Sequence, residues 1–415
     1  MTYTVLYYIF LLIGLLHVLN VKNPVNKTIL LILYVYLSFG FAPIQTSYRG
    51  DNDTFVFVIY LLCFFSLSAG LNFYRFNIKI DFNQCRITDL FKTAYTLHLI
   101  LCYLTLFYLF FTQGNIFLKQ DLRLNLNPAL AYSIRSIVFL PIIFTATLKL
   151  NRIRVFELFF YFVLPILPSI LLGARGTAIT SILSCMLILV LGEKKIIKTN
   201  SLIEFYKRYK KRIFFVGLMF SVFIIYGIFF IRRSGTGTLI TSSDLLSRYF
   251  DNPSIILLLF LPLYLAFKET IGITTKIINE GHFNSYFDYP MVLAELFTIL
   301  PGEQTAPGRI ISQEIYKSIL DKGYTPGLVG GLYMDFGTIG TVFAFFIIGY
   351  LMALFLKSSR SQKGIILYLF LMTTFLHLFH RGFLKPEYFS NFFILIIYLL
   401  MTKNENTSSS FHKSS

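Results

Sequence analysis

Arginines beside long apolar segments are the side chains in this sequence best suited to chemistry. A guanidinium group binds a phosphate through two parallel hydrogen bonds, so a set of arginines is typical of a phosphate or pyrophosphate site. Each charged hydrogen bond of this kind contributes about 1.5–3 kcal/mol. The candidates are Arg135, Arg175, Arg232, Arg233, Arg309 and Arg381. For any one of them, the alternative is that it ends a membrane helix and interacts with lipid headgroups.

Two of these arginines are the strongest phosphate candidates. Arg175 lies between Gly173 and Gly176, and glycine allows a backbone to approach a ligand closely. Arg232 directly follows an apolar segment. We therefore predict Arg175 and Arg232 as the first ligands of the phosphate groups.

Histidines and carboxylates in the same regions could transfer a proton. A histidine beside a phosphate-binding arginine could orient an acceptor hydroxyl or take its proton. We predict His282, His380 and Asp335 as the catalytic candidates, with Glu295 and Glu303 as further carboxylates. The residue types alone do not choose among them.

The sequence favours no metal site and no cofactor. Asp51-Asn52-Asp53 is an Asp-x-Asp pattern that could hold a divalent cation on a pyrophosphate. Two acids beside Gly50 are more often part of a turn. Cysteines and histidines lack zinc-site spacing, and neither a phosphate-binding Gly-Lys loop nor a dinucleotide loop is present.

The composition indicates which kind of protein must position these residues. Hydrophobic residues make up 56% of the 415 positions and charged residues 14%, against about 25% charged in an ordinary soluble domain. This excludes a soluble enzyme, a disordered regulator and a nucleic-acid-binding domain. The net charge of +17 then reflects basic cytoplasmic loops of a membrane protein.

Apolar segments long enough to approach a membrane span recur along the chain. A spanning helix needs about 20 mostly apolar residues. Eleven segments fit: 3–19, 28–44, 54–74, 93–113, 133–149, 155–172, 177–192, 213–231, 337–356, 365–380 and 389–402. We predict an all-α polytopic integral membrane protein with about eleven transmembrane helices (10–12) and one large external loop that contains short helices.

The orientation follows from the basic residues in the connections. The segment 193–212 holds eight Lys or Arg in 20 residues, which is typical of a cytoplasmic loop. Alternation places five further connections on the same side, and together these six pieces hold 22 of the 37 Lys and Arg. We predict an external N-terminus and a cytoplasmic C-terminus.

Four regions follow from this topology. Residues 1–231 form helices 1 to 8, residues 232–336 form a large external loop, residues 337–402 form helices 9 to 11, and residues 403–415 form a disordered cytoplasmic tail. Within the loop, the 13-residue apolar run 255–267 is only about 20 Å long as a helix. We interpret it, and the run 291–300, as re-entrant or membrane-lying elements rather than spans. Residues 308–322 are predicted as an amphipathic helix with Pro307 at its start.

Two short motifs resemble those of a known family. The run from Gly330 to Gly340, GGLYMDFGTIG, resembles the Tyr-x-Asp/Asn-Phe-Gly-x-x-Gly signature of the Wzy-type polymerases of O-antigen and capsule repeat units. Arg175-Gly176, which opens an apolar segment, resembles the family's Ser-Arg-Gly, with Ala174 in place of the serine. The residue-level likeness covers about 170–180 and 300–350.

The resemblance implies a metal-independent membrane glycosyltransferase. Such an enzyme transfers a growing glycan from undecaprenyl pyrophosphate to a lipid-linked repeat unit, at the outer face of the bacterial inner membrane. It further implies that Arg175 binds the pyrophosphate and that Tyr333 and Asp335 belong to the junction of loop and helix. The implied partners are the lipid-linked oligosaccharide, membrane lipid and a chain-length regulator protein, with no nucleic acid.

Two other functions remain open at this point. A flippase or transporter of lipid-linked oligosaccharides would carry ionisable groups at the bilayer midplane, whereas the acid within a predicted span, Glu157, lies near a cytoplasmic edge. An O-antigen ligase would share the layout and differ only in its acceptor, a lipid A-core.

Overall fold

A computed structural model describes residues 3–43, 53–74, 85–114, 126–147, 157, 159–172, 175–192, 255–281, 290–299, 307–315, 324–359 and 361–404. The first helices are α1 (Tyr3–Asn20), α2 (Pro24–Gly40), α3 (Thr54–Leu71), α4 (Asp89–Gln113), α5 (Pro128–Arg135), α6 (Pro141–Thr147), α7 (Leu164–Leu171) and α8 (Arg175–Gly192). The later helices are α9 (Ile255–Asn279), α10 (Pro307–Ile310), α11 (Gly327–Ser358), α12 (Gln362–Arg381) and α13 (Pro386–Leu400).

Shorter elements join these helices. A π-helical turn, Phe159–Val163, leads into α7, and another, Ile311–Ile315, follows α10. A 3-10 helix covers Met291–Ile299. Two-residue strands β1 (Cys85–Arg86) and β2 (Lys403–Asn404) pair antiparallel, with Cys85 opposite Asn404. The described residues thus form an all-α membrane protein apart from this one short pair.

The helices have the length and composition of membrane helices. Among the described residues, α1, α3, α4, α11 and α12 are long and apolar enough to cross a membrane. Shorter apolar helices cover Pro24–Gly40, Phe159–Leu171, Gly176–Ile188 and Pro386–Leu400. The predicted span 213–231 and the basic loop 193–212 lie outside the described residues. The total of eleven spans therefore stays a prediction.

The chain divides into two compact units. The first comprises Met1–Asn77, Arg232–Phe355 and Thr374–Pro386. The second comprises Ile78–Ile231, Leu356–Thr373 and Glu387–Ser415. Because α11 and α12 pass from one unit to the other, each unit is built from segments far apart in the sequence, and each is described below by itself.

In the first unit, α3 and α11 meet through glycines. A Cβ atom on Gly70 would lie 2.7 Å from the Tyr350 amide nitrogen, and one on Gly349 would lie 2.9 Å from the Leu71 amide nitrogen. The Ser66 hydroxyl also donates to the Val342 carbonyl at 2.8 Å. Small residues and interhelical hydrogen bonds are the usual means by which membrane helices pack closely.

Helix α9 is longer than its apolar run suggests. It continues twelve residues beyond 267 and reaches a total of 25 residues, about 37 Å. The residues of this extension include Lys268, Thr270 and Thr274, which are buried. Polar side chains that point into protein do not end a membrane helix, so hydropathy alone underestimated its length.

The C-terminal part of α9 contacts one end of α2 and one end of α3. The rings of Phe267 and Tyr36 of α2 are 4.2 Å apart, and the Thr274 and Tyr60 hydroxyls are 3.0 Å apart. The Asn279 side-chain amide donates to Asp53, the N-cap of α3, at 3.0 Å. The C-terminal part of α9 therefore packs beside the Gly40 end of α2 and the Thr54 end of α3.

In the second unit, the predicted helix 133–149 is not one helix. Helix α5 ends at Arg135 and α6 begins at Pro141, and Val138 and Leu140 donate to carbonyls three residues earlier. Proline lacks an amide hydrogen, which is tolerated at the start of a helix but not inside one. The break and the start of α6 are nevertheless buried, from Ile137 through Phe144.

Buried hydroxyls line α8 in the same unit. Thr177 contacts Ser169 of α7 at 2.7 Å, Ser181 donates to the Val138 carbonyl at 2.5 Å, and Ser184 contacts Thr373 at 2.6 Å. These residues recur every three or four positions, so they share one helix face. That face binds its neighbours by hydrogen bonds.

Helix α11 contains a break at Gly337. Its φ of 64° and ψ of −168° are not helical, and this combination is accessible almost only to glycine. A first segment from Gly327 thus precedes the long apolar segment. The predicted start of the ninth span at 337 coincides with this break.

Candidate functional site

His380 and Arg381 form the C-terminal end of α12, as the sequence predicted. In the first unit, the His380 Nδ1 atom lies 3.2 Å from the Thr270 hydroxyl and 3.3 Å from the Tyr36 hydroxyl. Both distances are within hydrogen-bond range, and the imidazole tautomer decides which partner donates. Three helices, α2, α9 and α12, therefore hold the imidazole in one orientation.

The Arg381 guanidinium has a buried donor without an acceptor. Its Nε atom, like that of Arg135, is buried and has no hydrogen-bond partner in the part of the chain that the structure describes. No ion pair between described residues involves it. A buried guanidinium donor without an acceptor is costly, and a bound anion would remove that cost.

Asp335 accepts hydrogen bonds from the backbone of a distant element. One carboxylate oxygen accepts the Met291 amide hydrogen at 2.5 Å between heavy atoms, and the other accepts that of Val292 at 3.0 Å. These are the first amides of the 3-10 helix, which have no acceptor within that helix. Asp335 is therefore a helix cap supplied by a distant part of the chain.

The 3-10 helix also contacts the turn that follows Arg381. The Leu384 amide donates to the Val292 carbonyl at 2.9 Å. Lys385 and Glu295 form an ion pair at 3.0 Å, with about a fifth of each side chain exposed. The predicted carboxylate Glu295 thus neutralises the charge of a lysine side chain.

Tyr333 lies in the first segment of α11 and is buried. It lies two residues before Asp335 and four before the break at Gly337. Its burial indicates packing within the first unit. Its predicted role in substrate binding stays a prediction.

Arg135 is already paired. In the second unit, its Nη1 atom lies 2.8 Å from the Glu387 carboxylate, whose side chain is 3% exposed. This buried pair has no net charge, so it attracts a pyrophosphate less than an unpaired guanidinium would. The sequence could not indicate the pair, because 252 positions separate the two residues.

Of the remaining predicted site residues, the structure describes some and not others. Arg175 is the first residue of α8, as its position before an apolar segment predicted, and its side chain is not described. Arg309 lies in α10, half-buried. Helix α10 begins at Pro307, as predicted for the helix 308–322. Arg232, Arg233 and His282 lie outside the described residues.

Lys268 is a buried charged residue that the sequence patterns did not indicate. Its side chain is fully buried in α9, two positions before Thr270. Lysines are rarely buried without a partner, and Lys268 does make a polar, ionic or aromatic-ring contact. The available signal was its place directly after the apolar run 255–267.

One acid of the Asp-x-Asp pattern, Asp53, is a helix cap. Asp53 accepts the Val56 amide hydrogen at the start of α3, at 3.1 Å, and its other oxygen accepts from Asn279. Asp51 and Asn52 are outside the described residues. Within the described ranges, no group of three or more His, Cys, Asp or Glu could hold a metal ion.

Comparison with known proteins gives one match. A family model described as "Putative O-antigen polymerase" matches residues 8–385, nearly the whole chain. No curated protein and no solved structure matches the chain. The matched range includes Asp335, Arg381 and both motifs that carried the resemblance.

Proposed function

The chain belongs to the O-antigen polymerase family, and from this premise we propose a specific reaction. The growing glycan is transferred from undecaprenyl pyrophosphate to the repeat unit on a second lipid carrier. Family membership makes the chain a multi-pass membrane enzyme of glycosyltransferase type that polymerises repeat units. The donor, the acceptor and the side of the membrane are the parts that we propose.

In the proposed reaction, a hydroxyl oxygen of the acceptor sugar attacks the anomeric carbon of the donor glycan. The bond from that carbon to the pyrophosphate oxygen breaks, and the pyrophosphate leaves with the electron pair. The hydroxyl proton passes to a base. Cations that contact the leaving group stabilise the negative charge that grows on it.

The observation that carries this proposal is that the buried Nε atom of Arg381 has no hydrogen-bond partner among the described residues, and that Arg381, unlike Arg135, forms no ion pair with a described residue. A guanidinium binds two phosphate oxygens at once, which suits a pyrophosphate. Arg175 and Arg232 are proposed as further ligands on their sequence positions alone. Arg135 is not proposed, because Glu387 already neutralises it.

His380 is the proposed base or orienting group. It is adjacent to Arg381 in the sequence, and Tyr36 and Thr270 fix its ring through Nδ1. His282 stays an alternative base that rests on its position in the loop.

The proposed topology places the end of α12 at the external face. An external N-terminus puts the Gly40 end of α2 and the Thr54 end of α3 on the same face. The part of α9 before Phe267 then extends about 18 Å inward, less than the hydrocarbon core of about 30 Å. This supports a helix that enters the membrane from outside without crossing it.

The experiment that tests the function uses purified protein and a synthetic lipid pyrophosphate-linked repeat unit. We expect a ladder of products that differ by one repeat, and we expect it to persist with EDTA, because arginines neutralise the leaving group. Arg381→Gln should lower the rate by about 100-fold or more, as for the loss of one preorganised donor.

A matched control is Lys276→Gln, which removes a partly exposed cation that pairs with Glu280 on α9. It should leave the ladder unchanged. Ladders of normal length and rate from the Arg381→Gln protein would remove Arg381 from the site. A wild-type protein that extends only a lipid A-core acceptor would indicate a ligase instead.

A further inference from the structure

Asp335 lies in the motif that carried the resemblance to the family, and both of its carboxylate oxygens cap a helix. We propose that Asp335 is a positioning residue that sets the place of Arg381 through the 3-10 helix. The proposal rests on the proposed function in one respect, which is that Arg381 contacts the substrate. Its structural part stands on hydrogen bonds within the first unit.

The first step is that Asp335 binds the start of the 3-10 helix by hydrogen bonds. Its two oxygens accept from consecutive amides, Met291 and Val292. Charge-assisted bonds to backbone amides are about twice as strong as neutral ones. A carboxylate used in this way has committed a lone pair of each oxygen, which leaves it poorly placed to take a proton from a sugar.

The second step connects the 3-10 helix to the turn after Arg381. Val292 takes part twice, since its amide donates to Asp335 and its carbonyl accepts from Leu384. One turn further along, Glu295 pairs with Lys385. We call Asp335, Met291, Val292 and Leu384 the Asp335 tether.

The third step fixes Arg381 relative to the tether. Gly382 follows it with a φ of 90°, and a Cβ there would lie 2.6 Å from the Gly327 carbonyl oxygen. A Cβ on Gly331 would lie 2.9 Å from the Gly382 carbonyl oxygen. The turn from Arg381 to Leu384 is therefore pressed against the first segment of α11, the segment that carries Asp335.

The break at Gly337 explains why the motif combines an aspartate and a glycine. Asp335 belongs to the first segment of α11, and Gly337 ends that segment two residues later. The first segment thus takes a direction of its own, toward the 3-10 helix and the Arg381 turn. Aspartate supplies the cap, and glycine supplies the backbone angle.

The test compares Asp335→Asn with the wild type in two measurements. Asparagine has one carbonyl oxygen and an NH2 group that cannot accept, so one bond of the tether is lost. Hydrogen exchange should become faster at the amides of Met291, Val292 and Leu384. Polymerisation should slow by up to about 100-fold, the effect of misplacing a catalytic group by about 1 Å.

A double-mutant cycle separates positioning from direct catalysis. If Asp335 acts through Arg381, the protein with both Asp335→Asn and Arg381→Gln should be no slower than Arg381→Gln alone. The pH profile of the remaining Asp335→Asn activity should keep its wild-type shape. Asp335→Glu, which restores two acceptor oxygens, should recover part of the rate.

The control is Asp53→Ala, which removes another carboxylate cap in the same unit. Its effect should be independent of Arg381→Gln. Rate losses of Asp335→Asn and Arg381→Gln that multiply, or unchanged exchange at Met291 and Val292, would overturn the proposal. A wild-type protein without polymerase activity would contradict the proposed function, while the exchange experiment would still test the tether.

Discussion

At the scale of single residues, charge alone did not distinguish an arginine that holds the protein together from one that could hold a substrate. Arg135 and Arg381 have the same side chain and both lie at the end of a helix. The Nε atom of each is buried without a hydrogen-bond partner in the described ranges, but Arg135 forms an ion pair with the buried Glu387, whereas no ion pair between described residues involves Arg381. The difference lies in tertiary pairing across a long sequence separation, which residue spacing cannot indicate.

Removal of one member of the Arg135–Glu387 pair should destabilise the protein. Arg135→Met leaves the Glu387 carboxylate buried and uncompensated, at a cost of about 3–5 kcal/mol. Joint replacement by Arg135→Met and Glu387→Met should restore most of that stability, because apolar pairs often replace buried ion pairs without loss. Thermal unfolding in detergent measures both effects.

The same double variant tests the function of Arg135. We expect it to make a normal ladder, since Arg135 is occupied by Glu387 in the structure. If the double variant is stable but inactive, Arg135 belongs with the substrate ligands after all.

At the scale of elements, hydropathy predicted which segments are helical but not where polar residues extend or divide them. The bounds of α1, α3, α4 and α12 agree with their predicted segments within a few residues, because an apolar run of that length has few alternatives. Helix α9 was underestimated, because its buried lysine and threonines contact protein. The helix predicted at 133–149 is divided at Pro141.

The break at Gly337 should not tolerate a side chain. Alanine at a φ of 64° and a ψ of −168° costs about 1–3 kcal/mol, and it should favour a continuous helix across the motif. We expect Gly337→Ala to unfold at a lower temperature and to weaken the Asp335 tether. Hydrogen exchange at Met291 and Val292, with Leu351→Ala as an exposed control on the same helix, measures this.

Protection of these two amides that equals the wild type would show that the tether does not depend on the break. The Gly337 substitution would then act only on local backbone strain.

At the scale of the whole molecule, the composition and the basic loops predicted a multi-pass membrane protein, and the family match agrees with it. The direction of insertion rests on the charge pattern alone. Residues in the second half of the large loop belong to the same unit as α1, α2 and α3. The sequence predicted an external loop with re-entrant or membrane-lying elements here, and it did not indicate which of the membrane helices these elements contact.

Thiol labelling of intact cells tests the insertion. Glu280→Cys places a thiol at the exposed end of α9, and an impermeant maleimide should react with it from outside. The four native cysteines are buried. Burial also raises the pKa of the Cys85 thiol above its ordinary value, so little reactive thiolate forms at neutral pH.

A cysteine at Ser410, in the predicted cytoplasmic tail, is the counterpart. It should react only after the membrane is made permeable. Labelling of Ser410→Cys in intact cells, together with protection of Glu280→Cys, would reverse the orientation and place Arg381 on the cytoplasmic face.

The contact between Gly70 and Gly349 has a consequence for how a polymerase makes room for its next saccharide. Two main chains touch there with no side chains between them, so a slide of α3 along α11 by part of a turn would drive Leu71 or Tyr350 into the opposite backbone. We therefore expect the contact between α3 and α11 to stay fixed. Movements that admit a new lipid carrier and release the spent one should take place in the helices around it.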